Sequence, residues 1–243
     1  MTRRDLLGAI PLLVADMHGA TTMPGPFDGA VGANWARFRA TGFADSVCGV
    51  VFDGAELQAG VPLGGLGTGY MTIEGSGKIG FHSIFNERVP PNKYFADWLT
   101  INNVPLSTSH ITYWGHYPVA DLKAQFDDIP LQVGIRAFAP FLPGDAAASN
   151  TPAALFEIEL HNTGSQPLPA NLALQFPAPP DAKALAVRGD GISARNAAQG
   201  LYGCESAVPA NSTVRVRFAV GWYVPIWKDS GGEMHRNRYF QRF

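Results

Sequence analysis

The chain has 243 residues, 46% hydrophobic and 16% charged, with 18 Lys+Arg against 20 Asp+Glu. This near-neutral balance, with no basic stripe, excludes a phosphate-tracking nucleic-acid binder, because neutralising a backbone of phosphates needs clustered cations. The 27 glycines, 19 prolines and 11% aromatic content favour many turns and short strands over long helices.

The N-terminus reads Met-Thr-Arg3-Arg4-Asp-Leu, then an apolar run from Leu6 to Ala15, then small residues up to Ala20. A charged start, a short apolar run and small residues form the pattern of a signal peptide, and the arginine pair gives it a twin-arginine character. Residues 1–20 are therefore expected to direct export to the periplasm or beyond, with a cytoplasmic protein as the alternative. The run is too short to cross a hydrocarbon layer of about 30 Å as a helix, and no other stretch is a transmembrane candidate. Residues 21–49, rich in glycine, proline and small side chains with Trp35 and Phe38 as anchors, read as an irregular lead-in. Residues 50–243 read as one domain. Cys48 and Cys204 are too widely separated for a zinc-knuckle spacing; they fit either a single disulfide in an exported protein or two buried thiols.

The next feature is Gly60-Val-Pro-Leu-Gly64-Gly65-Leu-Gly67-Thr68-Gly69. A phosphate loop needs a strand before it, a helix after it and a Lys-Ser or Lys-Thr end. Here both flanks are extended and no lysine precedes Thr68, so a glycine-rich bend leading into a strand pair over 70–81 is expected. Strands follow at Leu131–Ala137, Leu155–His161, Asn171–Phe176 and Val214–Trp222. In the last, Val214, Val216, Phe218, Val220 and Trp222 alternate with Arg215, Arg217, Ala219 and Gly221. Alternation of period two buries one face and leaves the other to solvent, so Glu157, Glu159 and His161 are expected to point to water. Turn residues separate the runs at His161–Pro167 and from Pro209 onward. No stretch of ten or more residues carries a capped helical stripe. The fold class is thus all-β, a large antiparallel β-sandwich.

Chemistry is harder to find. Glycosidic cleavage needs two carboxyl groups placed across a sugar; Glu87 beside Arg88, and Asp127-Asp128 before Pro130, read instead as solvated surface. The histidines at 18, 82, 110, 116, 161 and 235 form no HExxH and no i, i+4 pair, so no metal and no cofactor are expected. No Gly-x-Ser-x-Gly elbow is present. Tyr94, Trp98, Tyr113, Trp114 and Trp227 would make either a sugar-stacking platform or sandwich core.

Three stretches together resemble the N-terminal domain of glycoside hydrolase family 116, the bile-acid β-glucosidase or non-lysosomal glucosylceramidase group. They are Gly60–Gly69 with Gly80-Phe81 and Asn86; His116-Tyr-Pro-Val-Ala120 with Ala137–Pro143, Ser149, Pro152 and Phe156–Asn162; and Val214–Pro225 with Arg238–Phe243. The resemblance spans about residues 50 to 243. It implies a β-sandwich in front of an (α/α)6 barrel that carries the glutamate nucleophile and aspartate acid/base of a retaining mechanism. No residue of this chain matches those catalytic motifs, so no catalytic position carries over. The segment between Phe176 and Gly200 is shorter than in the family, and the family's Arg-Tyr-Pro is His116-Tyr-Pro here.

The expectation is a non-catalytic sandwich partnered by a barrel on the same or a neighbouring polypeptide. Gly64, Gly65, Gly67, Thr68, Phe81 and His82 are then the candidate cleft rim or interface. A stand-alone carbohydrate-binding or structural module is the alternative, and a truncated gene product a third outcome.

Overall fold

The computed structural model describes residues 35–54, 60–86, 91–180, 183–229 and 231–236. The segment read as a signal peptide lies outside them, as do Glu87 and Arg88. Antiparallel strands make up the fold, and its largest sheet has eight. From edge to edge these are β1 (Trp35–Phe38), β2 (Val47–Asp53), β9 (His110–His116), β10 (Val119–Gln125), β11 (Leu131–Phe138), β12 (Ala153–Asn162), β17 (Thr213–Trp222) and β14 (Leu185–Gly189). The sheet therefore begins inside the segment expected to be an irregular lead-in. Glycines and polar residues between the two hydrophobic runs hid a hairpin in which Trp35 to Phe38 pair with Val47 to Val50.

Two smaller sheets share the inner face of the large one. A five-stranded sheet runs β15 (Ser193–Asn196), β16 (Leu201–Val208), β13 (Leu168–Gln175), β7 (Leu99–Ile101) and β8 (Val104–Pro105). A four-stranded sheet runs β3 (Val61–Leu63), β4 (Met71–Ile73), β5 (Ile79–His82) and β6 (Asn92–Ala96), and so contains the expected strand pair over 70–81. A separate hairpin, β18 (Ile226–Lys228) with β19 (Met234–Arg236), follows β17. The one α-helical element among the described residues is the single turn Ala146–Ser149, capped by the Asp145 carboxylate accepting from the Ala148 N–H.

The alternating residues set this architecture. Phe156, Ile158 and Leu160 of β12, Phe218, Val220 and Trp222 of β17, and Leu172 and Leu174 of β13 are all fully buried in one continuous core. At its centre Phe156 stacks on Phe218 at 5.0 Å with a 7° interplanar angle, and Trp98 lies 5.1 Å from Phe156. Burying such a side chain contributes about 1.5–3 kcal/mol each. Trp98, Tyr113 and Trp114 are buried, so they do not form a sugar-stacking platform; Tyr94 is half-buried, and the side chain of Trp227 is outside the described set. Tyr113 instead ties the four-stranded sheet to the large one, its hydroxyl accepting from the Val61 N–H at 3.0 Å.

The outer face of the large sheet is not simply solvated. Asp121 sits opposite Arg136, Arg136 opposite Glu157, and Glu157 opposite Arg217, so four strands carry a transverse row of alternating charge. Arg217 Nε donates to Glu157 and Arg215 Nε to Glu159, each at 2.5 Å. Glu159 is only 2% exposed, so it points into a cation rather than into water as expected. Antiparallel pairing placed the partners directly opposite, a distance relation that the alternation within β12 does not encode.

Cys48 and Cys204 are both free thiols. Cys48 is exposed on the large sheet and Cys204 is buried on the five-stranded one. The pair forms no disulfide, and it is not a pair of buried thiols either.

Two glycines of the 64–69 bend separate steric from conformational constraint. A Cβ on Gly65 would lie 2.1 Å from the Thr151 carbonyl oxygen, whereas one on Gly67 would meet nothing within 4 Å but must adopt φ +71°. Gly65→Ala is expected to lower stability by overpacking, about 1–3 kcal/mol or more. Gly67→Ala should cost only about 1–2 kcal/mol from the left-handed backbone. Urea unfolding midpoints of the two variants give the comparison.

Candidate functional site

The glycine-rich bend is pinned from below. The Trp222 indole N–H donates to the Thr68 carbonyl at 2.6 Å, and Gly64 is close enough to that ring that a Cβ would lie 3.1 Å from it. Thr68 is buried; its hydroxyl donates to the Gly65 carbonyl at 2.8 Å and closes the bend internally. The Leu66 N–H donates to the Ser149 carbonyl at 2.7 Å, fastening the bend to the loop after β11. Small residues are needed because four chain segments meet here: the bend, residues 150–151, Ser83-Ile84 and the end of β17.

Ser149, itself buried, makes the next link. Its hydroxyl donates to the Leu142 carbonyl and accepts from the Leu142 N–H, at 2.9 and 3.0 Å. The side chains of Leu66 (48%) and Leu142 (53%) nevertheless stand in solvent. Beside them the exposed rings of Tyr117 and Phe141 lie 5.9 Å apart. Tyr117 precedes the cis Tyr117–Pro118 bond in the β9–β10 turn. The result is a firmly held, apolar rim at one end of the sandwich.

Of the six residues expected at a cleft rim or interface, Gly64, Gly65, Gly67 and Thr68 belong to this rim. Phe81 and His82 lie on β5. Phe81 packs against Phe95 at 5.0 Å, and His82 is buried with its ring edge-to-face against Phe85 and Tyr94. The bend is linked to this strand through the Ser83 hydroxyl, to which the Tyr70 N–H donates. The sequence reading missed Tyr117, Phe141 and Leu142. Their available signal was an apolar Phe-Leu pair running straight into Pro143-Gly144, a turn in which apolar side chains have no sheet face to bury.

The ionisable groups near the rim are engaged in holding it. His116 Nε2 and Asp121 lie 3.0 Å apart, Arg136 makes two bonds to the same carboxylate at 2.7 and 2.8 Å, and Arg136 also donates to the Thr41 carbonyl. Phe38 and Phe43 each meet the His116 ring edge-on at 5.4 Å. Burial opposes ionisation of Asp121, but the hydrogen bonds from His116 and Arg136 outweigh it and hold the carboxyl below its usual range. The His116-Tyr117-Pro118 turn thus supports the rim with a buried ion pair.

Glu74 behaves oppositely. It is fully buried at the β4–β5 turn, one oxygen accepts from the Thr72 hydroxyl, the other has no partner, and burial pushes its pKa up. Gly80 leaves the space that its carboxyl occupies.

Two further groupings bear on chemistry. Asp229, Glu233 and His235 of the terminal hairpin bring ligand atoms within 4.8 Å of one another. The Asp229 oxygens, however, are already taken by the Gly231 and Glu233 N–H groups and by His235, which makes the group a lock on the hairpin. At the far end of the sandwich, Gln125, Asp127, Asp128, Gln132 and Thr163 line an open depression of about 510 Å³. Asp127 and Asp128 are exposed there, as expected.

Residues 60–191 match the family model described as beta-glucosidase 2, glycosyl-hydrolase family 116 N-term. The chain belongs to this family. The match covers the glycine-rich bend, the His116–Ala120 turn and the Ala137–Asn162 stretch, two of the three stretches that carry the resemblance; the third, Val214–Pro225 with Arg238–Phe243, lies outside it. No curated protein matches the chain. In this family 116 N-terminal domain four carboxylates are committed to partners: Asp121 to Arg136 and His116, Glu157 to Arg217, Glu159 to Arg215 and Asp53 to Thr112 and His110.

Two of the buried carboxyl groups of this family 116 domain, Asp121 and Glu74, predict opposite pH behaviour. The depressed pKa of Asp121 contributes stability that is present above about pH 4 and is lost as pH falls through the folded value. Asp121→Asn leaves the Arg136 charge without its carboxylate partner and should cost about 3–5 kcal/mol at pH 7, with a smaller difference from wild type in acid. Glu74, with its raised pKa, contributes stability below about pH 4.5 that is lost as pH rises through its folded value. Glu74→Gln should therefore gain stability relative to wild type as pH increases from 4 to 8. Thermal unfolding across that range checks both signs.

Proposed function

We propose that this chain is the non-catalytic N-terminal sandwich of a β-glucosidase or glucosylceramidase-type glycoside hydrolase, supporting a catalytic (α/α)6 barrel on the same or a neighbouring polypeptide. The observation that carries this reading is the match of residues 60–191 to a domain defined as the N-terminal part of such hydrolases. The fate of the acids supports it. A retaining mechanism needs one carboxylate free to attack and another with a raised pKa to protonate the leaving group. Asp121, Glu157 and Glu159 are held by arginines, and Glu74, whose pKa is raised, is sealed in the core where no sugar reaches it. The sandwich contributes shape and attachment; bond cleavage is assigned to the partner.

The purified chain should not hydrolyse an aryl β-glucoside. A family 116 barrel produced separately should gain activity or stability when the chain is added. Turnover by the chain alone, abolished by changing one of its own carboxylates, would overturn the assignment.

A second reading is favoured by one specific observation. The exposed Tyr117–Phe141 pair offers two ring faces of the kind that stack on sugars, which would make the chain a carbohydrate-binding module. Calorimetry against β-glucan oligosaccharides, with Phe141→Ala as control, decides it: heat that disappears in the variant would establish this role. The Arg3-Arg4 pair and the Leu6–Ala15 run support export of the protein. Fractionation should find it outside the cytoplasm, and Arg3→Lys/Arg4→Lys should retain it inside.

A further inference from the structure

The hairpin that follows β17 belongs to none of the three sandwich sheets. Its strands pair with each other, Ile226 with Arg236, Trp227 with His235 and Lys228 with Met234. A two-stranded hairpin outside a larger sheet is marginal in water, and Ile226 and Met234 bury little here, being 46% and 60% exposed. Polar contacts close the turn instead. The Asp229 N–H donates to the Glu233 carbonyl and the Gly232 N–H to the Asp229 carbonyl, each at 3.0 Å. Asp229 Oδ1 accepts from the Gly231 and Glu233 N–H groups at 2.9 and 3.0 Å, and Oδ2 meets His235 Nε2 at 2.8 Å.

We propose that this hairpin binds a divalent transition-metal ion of the zinc class, with Asp229 Oδ2, the Glu233 carboxylate and His235 Nε2 as its three protein ligands. The donor atoms lie within 4.8 Å of one another. Ligands of one zinc ion, each about 2.0–2.2 Å from the metal, stand roughly 3.3 Å apart, so a small inward movement of side chains completes the set. Helical patterns such as HExxH place ligands at i and i+4. On an extended strand the shared face recurs at i and i+2, which is the Glu233–His235 spacing, and Asp229 reaches that face from the opposite arm. The Asp229 carboxylate is already oriented: the two N–H groups hold Oδ1 and leave Oδ2 turned to His235, as outer bonds do for a metal-binding carboxylate. One proton holds Oδ2 to Nε2. The ion takes the place of that proton, which passes to solvent, and the imidazole ligates in its neutral form. One imidazole with two carboxylates suits zinc, and the ion's charge offsets both carboxylates. Calcium and magnesium need six or more ligands, nearly all oxygen, and find too few here. The side chains of His235 and Asp229 are 38% and 22% exposed, so the site is open to an entering ion and to the water that fills its fourth position. An ion held there ties together the two arms of a hairpin that the sandwich core does not cover.

The test titrates the full, chelator-treated chain with zinc chloride by calorimetry, with calcium and magnesium chloride as controls. One zinc ion should bind per chain, with no comparable heat from the controls. The Glu233 side chain makes none of the hydrogen bonds that close the turn, so Glu233→Gln removes a ligand and leaves the hairpin intact. It should weaken zinc binding at least about tenfold, as should His235→Gln, whereas His161→Gln on β12 should bind as wild type. Hydrogen exchange on the wild-type chain needs no variant: zinc should slow exchange of residues 226–236 and leave the sandwich strands unchanged. No binding at millimolar zinc would overturn the proposal. Binding that Glu233→Gln and His235→Gln leave unaltered, or protection that appears outside the hairpin, would equally overturn it, and calcium binding as tightly as zinc would overturn the class of ion.

Discussion

A single buried hydrogen bond joins the core of this protein to its most distinctive surface. The Trp222 indole is fully buried at the end of β17, one of the two longest strands, and its N–H needs an acceptor that the apolar core does not offer. The Thr68 carbonyl supplies it. That requirement draws the glycine-rich bend down onto β17, and the bend in turn holds Leu66 against Ser149 and the Phe141-Leu142 loop. The glycines are a consequence: with backbone approaching backbone at Gly65 and an aromatic ring under Gly64, no side chain fits.

The same economy governs the polar residues. The outer face of the eight-stranded sheet is an ordered ladder in which Asp121, Arg136, Glu157 and Arg217 lie in one row across four strands. Such pairs satisfy each other and are costly to break singly. Asp127 and Asp128, by contrast, stay exposed at the far end of the sandwich.

The reading of individual strands from the sequence was close. Leu131–Ala137, Leu155–His161 and Val214–Trp222 fall within observed strands, and Asn171–Phe176 runs one residue past the end of β13, because a half-buried strand must alternate and alternation is written locally. β1 was missed, since four residues inside a glycine- and proline-rich segment carry too short a pattern. The bend at 60–69 was legible through its glycines, and Gly64, Gly65, Gly67 and Thr68 lie together in it. Phe81 and His82 do not join them, because they sit on β5 packed among Phe95, Phe85 and Tyr94. Of the aromatics expected to be either platform or core, tertiary packing alone put Trp98, Tyr113 and Trp114 inside and left Tyr94 half-buried; the exposed rings, Tyr117 and Phe141, were not among them.

The sequence by itself determined the all-β class, four of the five longest strands, several turns and the family. Each of these depends on residue type and spacing along the chain, and short-range sterics and burial periodicity act on those directly. Only the tertiary structure decided which charges pair, that Cys48 and Cys204 stay apart, and that five apolar side chains from separate loops converge on one end. Those outcomes depend on strand order and register, which bring together residues up to 154 positions apart, as in the Trp222–Thr68 bond. No pattern within a single strand carries that distance.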